Sequence, residues 1–369
     1  MPPMIRSIEL TNFKCFKHQA IGFSDLTLLT GINGMGKSTV LQAMLLLRQS
    51  YLQGTLPSRG LLVNGDLSDL GTAGDILFRS ADQDELQIKV DVNGQMLTWR
   101  FQYTDQYANV MEVIEEPATV PKMAPFESNF HYLMAERIGP RSMYEMSTYA
   151  VEQENQIGKD GRYAIAYLEA HAARDVPKQL QLDSASGSSV RAQVEAWISE
   201  ISPGTRLEIQ PYPQLSRLTM GMTFSTAPSL GRPFTAPNVG FGLSYVLPVI
   251  VSILASPPGT LILVENPEAH LHPKGQVAMG RLLSLAGASG LQLIVETHSD
   301  HILNGIRIAT KLKEVIPEGV AIRYFDRRVE DLSVSHVVHS PQLNADGRID
   351  NWPAGFFDQW EQSLDVLLA

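Results

Sequence analysis

The sequence predicts an α/β chain, with a mainly parallel sheet flanked by helices, an antiparallel β subdomain and a short helical insertion. Three observations predict it. Between residues 243 and 325, apolar runs of strand length alternate with helix-forming runs, the order that builds parallel strands covered on both faces. Residues 26–48 read as a strand, a glycine-rich turn and a helix. Residues 86–103 hold two strand-like runs joined by Val92-Asn93-Gly94-Gln95, a hairpin signal because Asn-Gly tolerates positive φ at both turn positions.

In chain order, residues 5–10 alternate apolar and polar side chains, as a half-exposed strand does. The apolar run 26–30 ends at Gly31, and 38–48 is rich in helix formers without proline. Residues 140–205 change character. Helices are expected over 163–173 and 189–201, parted by the small, polar residues 184–189, and Pro203-Gly204 closes the second. Strand-like pieces return over 207–224. A helix over 243–255, strand 260–264, helix 276–286, strand 292–296, helix 300–313 and strand 320–325 follow. The turn-rich tail from 340 ends in a short amphipathic helix over 357–368. These shifts suggest an N-terminal lobe (1–139), a helical insertion (140–205), a C-terminal lobe (206–325) and a small tail region (326–369).

Among 369 residues, 44% are hydrophobic and 18% charged, which excludes a disordered polymer or a long coiled coil. The net charge of −10 confines any DNA contact to a local patch. A single cysteine, Cys15, excludes an internal disulfide framework and a cysteine-built zinc site. The first ten residues lack the apolar core of a secretory signal. Pro248 and Pro257-Pro258-Gly259 divide the most apolar stretch, 243–264, into pieces shorter than the roughly 20 residues of a bilayer span. A cytoplasmic location with no membrane partner is therefore expected.

The sharpest signal is Gly31-Ile32-Asn33-Gly34-Met35-Gly36-Lys37-Ser38, a full G-x-x-x-x-G-K-S phosphate loop followed by Thr39. Its glycines let successive N–H groups converge on phosphate oxygens, and the helix behind adds its positive N-terminus. Lys37 is expected to reach the β- and γ-phosphates, and the Ser38 hydroxyl to ligate Mg²⁺. Such a loop needs a second carboxylate at a buried strand end, and Leu261-Ile262-Leu263-Val264-Glu265 supplies one. His270 and His272 suggest a metal pair only weakly, because i, i+2 spacing does not share a helical face. His298, in Glu296-Thr297-His298-Ser299-Asp300 after another buried strand, is a candidate γ-phosphate sensor.

Together, GxNGxGKST, strand-E-N-P-E-A-H-L-H-P and strand-E-T-H-S-D resemble the ABC-type ATPase heads of SMC-like, RecF-like and OLD-family proteins. The likeness is greatest to compact bacterial AAA-type ATPases with a small C-terminal domain of unknown function, where a closing W-P-x-G-F-F-D-Q-W-E, here 352–361, recurs. The resemblance implies ATP and Mg²⁺ as ligands. It implies nucleotide contacts from Gly31, Asn33, Gly34, Gly36, Lys37, Ser38 and Thr39, and from Lys14 in an opening Asn12-Phe13-Lys14. Glu265 matches the magnesium-side acid, so Ser38 and Glu265 form the implied metal set, and His298 matches the switch histidine. Asn238-Val239-Gly240-Phe241-Gly242-Leu243-Ser244 resembles the signature motif, whose Gly240, Gly242 and Ser244 then meet the γ-phosphate held by the opposite subunit of a homodimer.

Two departures matter. The residue after Glu265 is Asn266, an amide that can orient water but cannot take its proton. Either Glu268 acts as the base or hydrolysis is slow. No long heptad region interrupts the head, so bridging of distant DNA by a coiled coil is excluded. The tail shows no D-x-D and is too short for an OLD-type nuclease, so the effector is expected on a separate protein, a nuclease or toxin. By family analogy the role is an ATP-gated switch in bacterial anti-phage defence. The alternatives are a RecF-like DNA clamp and a non-hydrolysing ATP-bound scaffold.

Overall fold

A computed structural model describes residues 3–224, 234–238, 240–330 and 333–368. The chain divides into two units: residues 1–127 with 321–342 and 351–369, and residues 128–320 with 343–350.

The first unit contains the expected antiparallel subdomain. Its sheet runs Phe16–Gly22, Ile5–Phe13, Glu85–Val92, Gln95–Gln102, Val110–Glu115 and Leu61–Leu62, each neighbour antiparallel. Alternate residues of Glu85–Val92 are buried, which places Leu86, Ile88 and Val90 in the core opposite Phe101, Trp99 and Leu97. The hairpin forms as predicted, with Asn93 at φ 50° and Gly94 at φ 92°. The edge strand Phe16–Gly22 was not foreseen, because only Phe16 and Ile21 of its residues are buried and no apolar alternation marks it. Strand Leu26–Gly31, buried from Leu26 to Thr30, leads through the glycine turn into helix Lys37–Leu52 and lies beside Val320–Glu330, which forms a hairpin with Ser333–His339. The closing aromatic motif has a packing role: Phe356 is buried and stacks edge-on against Tyr324, with ring centroids 5.3 Å apart.

The second unit is built on three parallel strands in the order Phe130–Leu133, Leu261–Glu265, Gln292–Glu296. Their register pairs Leu261 with Gln292 and sets Glu265 beside Glu296, so two acids end adjacent strands. Helices Phe241–Leu254, Pro273–Ala288 and Asp300–Lys311 belong to this unit, as do the insertion helices Ala164–His171 and Val190–Ile201. Ser189 caps Val190–Ile201 and Ser299 caps Asp300–Lys311, each hydroxyl accepting a first-turn N–H, as the sequence-level capping rule requires. Helix Pro273–Ala288 starts three residues before the expected 276, because Pro273 occupies its first position and His272 caps it, accepting from Lys274 N at 3.3 Å. His272 thus serves as a helix cap, and no cluster of three potential metal-ligating His, Cys, Asp or Glu occurs among the described residues. Among the same residues, no helix is long and apolar enough to cross a membrane.

Candidate functional site

The phosphate loop lies in the first unit. Gly31, Gly34 and Gly36 hold φ of 133°, 79° and 102°, a backbone region closed to most side chains. At Gly31 a Cβ would fall 2.2 Å from the Phe325 carbonyl oxygen, and at Gly36 it would fall 2.5 Å from the Phe16 ring and 2.8 Å from Cys15 Sγ. Ile32 and Asn33 at the tip are exposed, Ile32 by 61%, an unusual setting for an isoleucine. Gly36 begins the helix without a side-chain cap, and a helix N-terminus favours an anion. Lys37 is 3% exposed and donates to the carbonyls of Gly31 and Ile32, both at 2.9 Å, spanning the curl. Ser38 is partly exposed in the same turn, and Thr39 Oγ1 lies 3.8 Å from Cys15 Sγ. Lys14, at φ 52°, places its ammonium 2.7 Å from Gln42 Oε1 on the loop helix, and burial lowers its pKa. A glycine cradle, an uncapped helix start and a lysine across it fit a polyphosphate, and a first-turn hydroxyl fits its magnesium ion.

The acidic cluster lies in the second unit. Glu265 Oε1 accepts from the Tyr132 hydroxyl at 2.8 Å, and Oε2 accepts from Ala135 N at 3.2 Å. Burial first, then the Glu265 charge, drives the Tyr132 phenol upward, so it stays a donor. Asn266 turns the chain out of its strand at φ 45°, a conformation asparagine tolerates, while its N–H donates to Glu296 O at 2.8 Å. Glu268 Oε1 accepts from the His298 backbone N–H at 2.8 Å, which joins the two loops carrying the predicted catalytic residues. Burial raises the Glu268 pKa, against the pull of that N–H and of the Arg137 charge. His298 is exposed.

The signature-like segment begins helix Phe241–Leu254, with exposed Gly240 at an end that no side chain caps. Val239 lies outside the described residues. Gly242 has a packing reason for being glycine, since a Cβ there would sit 2.5 Å from the His270 carbonyl oxygen. His270, at φ 63°, also sets its ring 4.7 Å from that of Tyr245. Ser244 is buried. The second unit thus gathers Glu265, Asn266, Glu268 and His298, and ties Gly242 to them through His270. Lys14, Gly31, Asn33, Gly34, Gly36, Lys37, Ser38 and Thr39 are gathered in the first.

Sequence reasoning missed Tyr132 and Arg137. The available signal was an apolar run ending in a charged pair, Phe130 to Leu133 and then Glu136-Arg137.

Three family models match: "AAA ATPase domain" over residues 4–155, "AAA domain, putative AbiEii toxin, Type IV TA system" over 127–304, and a protein family of unknown function, DUF3696, over 315–367. No curated protein matches the sequence. Among solved structures, an Smc head bound to the C-winged helix domain of ScpA is 15% identical with a TM-score of 0.55, covering 91% of this chain and 98% of its own. An Smc head with an extended coiled coil, bound to the C-terminal domain of ScpA from Pyrococcus furiosus, is 13% identical with a TM-score of 0.51, covering 100% of both chains. The fold is that of the SMC-like, ABC-type ATPase head, and the sequence is similar to AAA ATPase family models over residues 4–304 and to a C-terminal family of unknown function over 315–367.

Proposed function

We propose that this ATPase head is a slow, ATP-hydrolysing switch that pairs head-to-tail around two Mg-ATP molecules in the cytoplasm. The observation that carries the proposal is the glycine cradle whose helix start has no side-chain cap and whose lysine bridges its two ends. When bound, the magnesium ion would neutralise phosphate charge and help orient the attacking water. Ser38 and Glu265 are the residues to hold it. Lys37 and the loop amides bind the phosphates. Glu268 takes the proton of the attacking water, Asn266 orients that water, and His298 reads the γ-phosphate. Gly240 and Gly242 open a helix whose N-terminus receives the γ-phosphate bound by a second copy. Asn266 in place of an acid favours slow turnover, so the ATP-bound pair is the long-lived state.

A separately encoded effector, a toxin or nuclease, would read that state. The toxin in the matched family's description and the ScpA domains bound to both Smc heads favour a partner-directed role in anti-phage defence. The test is calorimetry with ATP, followed by sedimentation with a slowly hydrolysed analogue, for wild type and Lys37→Ala. Wild type binds and doubles in mass, and Lys37→Ala does neither. A wild-type protein that takes up no ATP refutes the reading. Co-purification with mass spectrometry identifies the partner.

A further inference from the structure

Arg137 is 2% exposed, and each of its hydrogen bonds goes to a backbone carbonyl rather than to a carboxylate. Nε donates to Tyr245 O at 2.9 Å, Nη1 to Met134 O at 3.0 Å and Glu265 O at 2.7 Å, and Nη2 to Asn266 O at 2.6 Å. The guanidinium carbon lies 5.7 Å from the centre of the Tyr245 ring. Burial pulls its pKa down to about 10, with Glu268 and Glu265 opposing, so the group is charged at neutral pH. A buried cation without a bonded carboxylate is an expensive way to hold a fold, and an apolar side chain would serve stability as well. What only a planar five-donor fork supplies is a rigid link among three backbones. One edge grips the signature-like helix. The other grips the carbonyls of the magnesium-side acid and of the amide after it.

We propose that Arg137 is a positioning residue that couples the start of helix Phe241–Leu254 to Glu265 and Asn266. Docking of a second copy's γ-phosphate on that helix then sets the catalytic acid in place, and an undocked head hydrolyses poorly. The proposal rests on the nucleotide reading above and deepens it. Arg137 and Tyr245 also line a cavity of about 680 Å³ open to solvent, which gives a small cation access to the site.

The test compares wild type, Arg137→Lys and Arg137→Ala in thermal melting, ATP binding and turnover, with and without millimolar guanidinium. Both variants are expected to bind ATP as wild type does. Their kcat is expected to fall about 10- to 100-fold, the usual loss when a residue that orients a metal ligand is removed, with KM within about threefold. Guanidinium restores part of the loss in Arg137→Ala and none in Arg137→Lys. In hydrogen exchange without nucleotide, Arg137→Ala loosens both 264–266 and 245–249, and guanidinium re-protects both. Wild-type kcat in Arg137→Lys overturns the proposal. So does a parallel loss of ATP affinity and kcat, or loosening at one end alone. The exchange arm judges Arg137 even if the nucleotide reading fails, whereas ATP binding by wild type judges that reading alone.

Discussion

Replacing Glu268 by Gln is the most informative single change at the acidic cluster. The Glu268 carboxylate takes the His298 N–H at 2.8 Å through Oε1, and a glutamine carbonyl can take the same bond. Stability should therefore stay within about 0.5 kcal/mol of wild type. What disappears is a carboxylate whose proton affinity burial has raised, the property wanted in a general base. Such a base contributes about 10²- to 10⁴-fold, which at about 1.36 kcal/mol per tenfold is roughly 3–5 kcal/mol of barrier. Single-turnover phosphate release should slow by that factor, while ATP binding persists and the ATP-bound pair accumulates in sedimentation. The pH profile gives a second reading. The ionised form is the active one and its pKa lies above the ordinary 4.5, so wild-type turnover falls as pH drops through that raised value. Glu268→Gln should lose this limb. Phosphate release within about threefold of wild type would remove Glu268 from the chemistry and leave Asn266 alone to place the water.

Gly36→Ala forces a Cβ onto the Phe16 ring and Cys15 Sγ at φ 102°. Strain of about 1–3 kcal/mol should weaken ATP binding by about 10- to 100-fold in calorimetry, with the far-ultraviolet spectrum unchanged. Gly280→Ala places a Cβ 2.2 Å from the Ile302 carbonyl oxygen and should cost about 1–3 kcal/mol, read as a lower melting temperature. His171 is 5% exposed and its pKa is lowered by burial and then by Arg174. The unfolded chain takes up a proton near 6.5 that the fold resists, so urea stability should fall as pH drops below that value and level off once the folded ring also protonates. His171→Phe should flatten this component.

The glycine turn at residues 31–36 was legible because its requirements are local. Backbone conformations open to glycine and one lysine at fixed spacing carry it, and the structure finds positive φ at Gly31, Gly34 and Gly36. Helices Val190–Ile201 and Asp300–Lys311 were legible within two residues because Ser189 and Ser299 punctuate them. Residues acting across long sequence separations were not. Tyr132 and Arg137 reach Glu265 over 133 and 128 residues, and nothing near either one names that partner. Gly242 shows a different limit. As a sequence feature it reads as an anion-facing glycine, yet the Cβ it lacks is excluded by the His270 carbonyl. The strand Phe130–Leu133 escaped notice because four buried residues are too few to display a period.

The crossing of helices Pro273–Ala288 and Asp300–Lys311 has a mechanical consequence. Gly280 faces the Ile302 carbonyl and Gly305 the Val277 carbonyl, each with a would-be Cβ 2.2 Å away, and Ser299 Oγ donates to Gln276 Oε1 at 2.5 Å. Main chain rests on main chain there, with no pliable side chains between. One of these rods grows from the segment bearing Glu268, the other from the segment bearing His298. A tug on either segment therefore meets a stiff yoke, and the histidine and the glutamate must shift in step, like two teeth cut on one gear.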